Sequence, residues 1–251
     1  MVSRLALVKA GMHLWLSMYK HNKAALAAFL ARPYLVLLFV SALGAGQNLV
    51  AWALLSILIT SAVDSLWDIA GGAITQRLLG VLTYASLAPH RMAEILLLTY
   101  LPRYFIETLV KFAELAPLMV AGGATPAQLA AALALSLLGA LPLASLGMLV
   151  ASLTLLARED APWIDWTIPL LLVASGAIYP VAALPQLVKA VSAALPTTYL
   201  FSMAEALATN SSADWQLLLT AFLATASAWL TASLLASERI ESSVFRRGGH
   251  L

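Results

Sequence analysis

Arg103, Glu107, Lys111 and Glu114 stand at i, i+4, i+8 and i+11 in the apolar run "ILLLTYLPRYFIETLVKFAELAPLMVAGG". At about 100° per residue they share an arc of about 80° on one helix face. Their signs alternate, so neighbours one turn apart can neutralise one another. Asp64 and Asp68, also one turn apart, add two carboxylates in the preceding apolar run. Charges in a bilayer interior cost about 3 kcal/mol each on insertion scales, so this arc must face protein or water. Two chemistries fit. The six groups form the polar wall of a translocation path, or they form interhelical ion pairs, Asp64 or Asp68 with Arg103 or Lys111, that fasten the two runs together.

The elements that position these charges follow from composition. The chain has 251 residues, 62% hydrophobic and 10% charged, with a mean hydropathy of +0.90, far outside the range of soluble globular domains. No polar segment between the apolar runs is long enough for a soluble catalytic domain. A bilayer core of about 30 Å needs about 20 apolar helical residues. By that yardstick the sequence predicts six spans, at 27 to 45, 50 to 74, 94 to 121, 127 to 156, 163 to 180 and 215 to 237. The breaker-rich stretches "GAGQN" (44 to 48) and "GGATP" (122 to 126) read as tight turns. Pro117 and Pro142 mark expected kinks within spans three and four.

Before the first span, Leu5, Val8, Met12, Trp15 and Tyr19 fall on one helical face and Lys9, His13, Ser17 and Lys20 on another. This amphipathic helix suits the headgroup boundary, and equally a cap packed on the bundle. Orientation comes from the basic residues. Arg4, Lys9, Lys20, Lys23 and Arg32 are assigned to the segment before span one, Arg77 and Arg91 lie between two and three, Arg158 between four and five, and Arg239, Arg246 and Arg247 after six. Against these eleven, the other side has Lys189 alone, which puts both termini in the cytoplasm. The N-terminus lacks the apolar core of a cleaved signal peptide.

Several chemistries are excluded. No G-x-x-x-x-G-K-[ST] phosphate loop occurs, so the chain cannot hydrolyse ATP alone. His13, His21, His90 and His250 form no H-E-x-x-H pair, and the chain has no cysteine, so neither a metalloprotease site nor a thiolate metal site is expected. No span holds a histidine to activate a serine. The basic balance reports orientation, not nucleic acid. Asn210-Ser211-Ser212 matches a glycosylation acceptor by a pattern that often arises by chance.

Two further stretches carry a pattern. In "ITQRLLGVLTYASLAPHRMAEILL", Arg77, Gly80, Leu82, Pro89 and Arg91 match the E-R-x-x-G-T-L-E-x-L-L-x-x-P pattern, followed by a basic or polar residue, of ABC-2 type transporter permeases. Gln76, Val81 and Thr83 depart from it. The more specific match is "SGAIYPVAALPQLVKAVSAALPTTYLF", 175 to 201, where Ser175, Gly176, Tyr179, Pro180, Leu184, Pro185, Val188, Val191, Pro196, Thr198 and Tyr199 fit that family's S-G-x-x-[FY]-P…L-P…P-x-[ST]-[YH] pattern. With the expected spans, the resemblance covers essentially the whole chain.

What the resemblance implies is an all-α integral membrane protein of the cell (plasma or inner) membrane, the permease subunit of an ABC exporter. Residues 1–251 then form one transmembrane domain: an interfacial helix at 1–23, six membrane helices within 24–240 and a cytoplasmic tail at 241–251. The segment with Arg77, Gly80, Leu82, Tyr84, Pro89 and Arg91 would be the coupling helix that docks on an ATP-binding subunit. Two such subunits, using ATP and Mg, would power two permease subunits, identical or paralogous, in membrane lipid. The chain itself would bind no cofactor and would not be an enzyme. Ser175, Gly176, Tyr179, Pro180, Pro185, Pro196, Thr198 and Tyr199 would form a re-entrant outer gate, with 181 to 195 a short helix closed by Pro196. The rival is an autonomous channel or proton-coupled carrier using Asp64, Asp68, Glu107 and Glu114 as a relay. A third reading is a non-transporting assembly protein.

Overall fold

Apolar runs of this length must pair their own N–H and C=O groups, and a helix does so within one segment. The computed structural model describes residues 4–43, 48–78, 92–156, 163–179, 181–211 and 213–246. Among the described residues it is all-helical: α1 (Arg4–His21), α2 (Lys23–Leu43), α3 (Leu49–Leu78), α4 (Met92–Ala121), α5 (Pro126–Leu138), α6 (Ala140–Leu156), α7 (Trp163–Ala174), α8 (Gln186–Ala194), α9 (Pro196–Thr209) and α10 (Trp215–Arg246). A 3-10 turn at Val181–Ala183 precedes α8.

Four stretches of the described residues are long and apolar enough to cross a membrane: Lys23–Ala42, Leu49–Ile69, Pro126–Ala151 and Trp215–Ile240. The pair α8 and α9, bent by 91°, makes a fifth if it counts as one span. This is short of the six expected. Expected span three is α4, whose charge ladder interrupts its apolarity, and expected span five is α7, with 12 residues.

α3 is the central element. Its apolar window is 83% buried, against 22% for α2 and 17% for the last helix, so α3 is wrapped on all sides while the other two edge the bundle. A helix apolar all round belongs in such a position. Leu54, Ile57 and Leu58 of α3 meet Leu115 and Met119 of α4, Leu200 and Met203 of α9 and Phe222 of α10 in the main core. A second cluster joins Ile69 to Tyr100, Tyr104, Leu143 and Met148.

Local chemistry sets the element ends. Asn22 separates α1 from α2, and its Oδ1 accepts from the Ala25 N–H at 2.9 Å, capping α2. Of the expected turn "GAGQN" only Asn48 is described; it caps α3 through the Ala51 N–H at 2.8 Å and donates to the Ala208 carbonyl at 2.7 Å. In "GGATP", Thr125 and Gln128 form a capping box with Pro126 at the start of α5. Expected span four breaks at Gly139, three residues before Pro142, whose missing N–H frees a carbonyl one turn back. α4, by contrast, stays helical through Pro102 and Pro117, so no helix break falls at Pro117. The expected tail at 241–251 begins as helix, since α10 runs to Arg246.

α1 packs along α4, and Gly11 makes this possible. A Cβ there would overlap the Thr99 carbonyl, so the two helices touch backbone to backbone. Of the expected apolar face, Trp15 and Tyr19 turn toward α4 while Leu5 and Met12 are exposed. Gly11→Ala should therefore push α1 off α4 and destabilise the protein by about 1–3 kcal/mol. Thermal unfolding in detergent checks this, and an unchanged midpoint would show that the contact yields freely.

Candidate functional site

The charges expected within the spans converge on one cluster, except Glu114. α3 presents Asp64 and Asp68, α4 presents Arg103, Glu107 and Lys111, and α2 adds Arg32. Lys111 Nζ lies 2.7 Å from Asp64 Oδ2, with side-chain exposures of only 1% and 5%. The other Asp64 oxygen meets Arg32 Nη1. Arg103 Nη2 is 2.7 Å from Asp68 Oδ2, and Arg103 Nε is 2.8 Å from Glu107 Oε1. That same Glu107 oxygen accepts from Trp15 Nε1 at 2.8 Å and from the Tyr19 hydroxyl at 3.2 Å, both from α1. The Lys111 ammonium also lies 5.7 Å from the centre of the Phe29 ring. Three carboxylates thus face three cations, and the cluster is neutral as a whole.

Among the described residues only one contact of the cluster, Arg103 to Glu107, runs within a helix. The remaining cations turn across to α3. Glu114 stands apart: its Oε2 is buried with no hydrogen-bond partner among the described residues, and its backbone carbonyl accepts from Tyr34 at 3.3 Å. It lies on the expected arc, one turn beyond Lys111, but among the described residues no ion pair joins it to the cluster. Arg32 is the opposite case. Sequence reasoning counted it as an orientation signal before span one, yet it sits inside α2 and is a member of the cluster. Its position inside an unbroken apolar run was the available signal.

Beside the cluster is a cavity of about 210 Å³ between the α1–α2 elbow and α3 and α4. Tyr19, Arg32, Trp67, Asp68, Arg103 and Glu107 contribute to its wall. Burial and the nearby Glu107 carboxylate raise the Tyr19 phenol above its ordinary range, so it remains a donor at neutral pH.

At 175–199 the chain turns sharply. Ser175 is buried, with its hydroxyl on the Leu172 carbonyl at 3.0 Å. Gly176 has φ +79, a left-handed conformation that explains the glycine. Tyr179 is exposed, and Pro180 lies outside the described residues. The helix expected over 181 to 195 is shorter: Val181–Ala183 is a 3-10 turn, Pro185 is the N-cap, and α8 follows. Pro196 does not close that helix but opens α9, at a first-turn position where its missing N–H costs nothing. Thr197 and Thr198 are buried with hydroxyls unpartnered among the described residues. The carbonyls left free at the end of α8 find side chains: Tyr199 donates to Ala193 O at 2.8 Å and Trp229 of α10 to Ala194 O at 2.7 Å. Nothing in the local pattern pointed to Trp229.

Arg77 falls in the last turn of α3, with its side chain outside the described residues, as are Gly80, Leu82, Tyr84, Pro89 and Arg91 altogether. Asn210 adopts φ 51 as the C-cap of α9 and accepts from Gln128 Nε2 at 3.1 Å. No group of His, Cys, Asp and Glu among the described residues is arranged to hold a metal.

No family model and no curated protein matches the chain.

The cluster itself predicts a sharp contrast between the chain's lysines. Lys111→Met should destabilise the fold by about 3–5 kcal/mol, because it leaves Asp64 buried with Arg32 alone. Lys189→Met, a half-buried residue on the mostly exposed helix α8, should leave stability unchanged. Reversible unfolding in mixed micelles compares the two, and equal effects would remove the cluster's structural importance.

Proposed function

We propose that the chain is the membrane subunit of an ABC-2 type exporter, moving a substrate outward across the cell membrane with energy from separate ATP-binding subunits. The observation that carries this reading is the sharply bent α8–α9 pair, which occupies the stretch that matches the family's S-G-x-x-[FY]-P…L-P…P-x-[ST]-[YH] pattern. Irregular backbone at that depth is tolerated only under protein cover, and α9 is largely buried. α1, packed on the bundle before the first candidate span, suits the interfacial helix of this reading.

In the proposed topology α2, α3, α4, the α5–α6 pair, α7 and α10 make six crossings. α4 crosses despite its charges because α1, α2 and α3 cover the ladder. Moving Arg32 out of the loop count lowers the basic residues on the proposed cytoplasmic side from eleven to ten, still against Lys189 alone. Both termini are then cytoplasmic and α8 lies outside. Two copies of the chain, or the chain and a paralogue, pair around the path.

Energy enters through residues 79 to 91, which join α3 to α4. Those helices are fastened by the Lys111–Asp64 and Arg103–Asp68 pairs, so a push on the segment moves them together. The proton-carrier alternative is weakened by the same pairs. Three of its four carboxylates are occupied by cations, and only Glu114 is left for a relay.

Purification of the native complex tests the reading: an ATPase should co-purify, and proteoliposomes should transport only with ATP. Full transport by the lone chain without ATP would refute it. Substitution of Leu82 or Tyr84 by Ala should lower transport-coupled ATPase activity several-fold with membrane insertion intact. Unchanged coupling in both variants would remove the docking role.

A further inference from the structure

The cavity beside the charge cluster has unused bonding capacity of both signs. Arg32 spends a single nitrogen on Asp64, which it shares with Lys111, and its side chain is 47% exposed at the mouth. A guanidinium carries five N–H donors, so most of them are available. Asp68 meets only Arg103 among the described residues, through one oxygen, and its carboxylate can accept further bonds. A free anion would satisfy Arg32 and leave Asp68 facing it. A free cation would do the reverse. A ligand carrying an anion and an ammonium together satisfies both without disturbing the neutrality of the cluster.

Depth narrows the ligand class. Asp68 lies in the last turn of the apolar window Leu49–Ile69 of α3. Arg103 lies about 27 Å of helix from Ala121 at the far end of α4. With a hydrocarbon core of about 30 Å, both fall at its edge, the level of lipid headgroups. Around the mouth, Met18 and Trp67 are exposed, and Leu26 and Leu30 of α2 continue an apolar surface past it. Trp67 and Tyr19 add aromatic faces of the kind that attract an alkylammonium.

We propose that this cavity binds the headgroup of a zwitterionic phospholipid, with the phosphate taken by Arg32 and the amine held toward Asp68 and the aromatic wall. The proposal rests on the membrane placement used in the exporter reading, but needs no ATP-binding subunit.

The test is lipid binding to the purified chain alone in detergent, followed by native mass spectrometry with phosphatidylcholine, phosphatidylethanolamine or phosphatidylglycerol added. The two zwitterionic lipids should bind about tenfold more tightly than phosphatidylglycerol. Asp68→Asn should erase that preference. Because Asp68→Asn also breaks an ion pair, Ala28→Trp provides a second variant: it fills the cavity from its wall and should abolish the preference with the unfolding midpoint unchanged. Equal binding of phosphatidylglycerol by the unaltered chain, or a preference that survives Ala28→Trp, would overturn the proposal. Competition by glycerophosphocholine as strong as by the intact lipid would assign the site to a soluble phosphate ester and overturn it as well. Failure to co-purify an ATPase would defeat the exporter reading and leave these binding results standing.

Discussion

The buried pair of Lys111 with Asp64 is the constraint around which the other elements are arranged. Either ion alone at that burial would cost several kcal/mol, whereas the pair in hydrogen-bonding contact roughly offsets its desolvation. α3 and α4 are thereby held to one register. Moving from Asp64 to Asp68 advances about 6 Å along α3, while moving from Lys111 back to Arg103 covers about 12 Å of α4. The opposite directions suit antiparallel helices, and the long Arg103 side chain closes the difference while its Nε returns to Glu107. α1 is then placed by what Glu107 still accepts, the Trp15 and Tyr19 donors, and by the bare backbone at Gly11.

This arrangement explains which parts were legible in the sequence. The arc of Arg103, Glu107 and Lys111 follows from helix periodicity alone, and the need for partners follows from burial. The partners do not follow, because periodicity describes one helix and pairing depends on how two helices pack. Arg32 shows the difficulty: a basic residue near the start of an apolar run has the same signature whether it marks orientation or enters the core. Glu114 shows the converse, since a shared face does not by itself supply a partner. By length and apolarity alone the described helices give four candidate spans, or five with the bent pair, for a related reason. α4 is long enough but carries its charges within the window, and α7 has 12 residues.

At the other irregular stretch, the proline pattern marked the places where the backbone changes direction but not the sense of each change. A proline ends the helix before it and also begins the helix after it. Pro196 does the second, and that turns an expected closing residue into the first residue of a buried helix. The free carbonyls at the break could have been met by water or by any nearby donor. They are met by Tyr199, inside the recognised pattern, and by Trp229, which belongs to a helix far along the chain. A local pattern holds no record of such a partner.

The two irregular regions are connected through α3. One part of this helix is bound to α4 by the ion pairs, and the turn at its start is bound to the end of α9 by Asn48, whose amide donates to Ala208 O. Gln128 ties the same end of α9 to α5 through Leu207 O. Between these attachments most of α3 is buried, so it cannot bend into solvent, and a close-packed interior of low compressibility transmits strain from one element to the next. In the proposed exporter, force arriving at residues 79 to 91 would therefore act on α3 and α4 as one body. It would reach the bent pair through the Asn48 contact and through the core packing of α3 against Leu200 and Met203 of α9. Among the polar contacts of the described residues, Asn48 is the one that joins the start of α3 to the end of α9, and it belongs to neither recognised pattern.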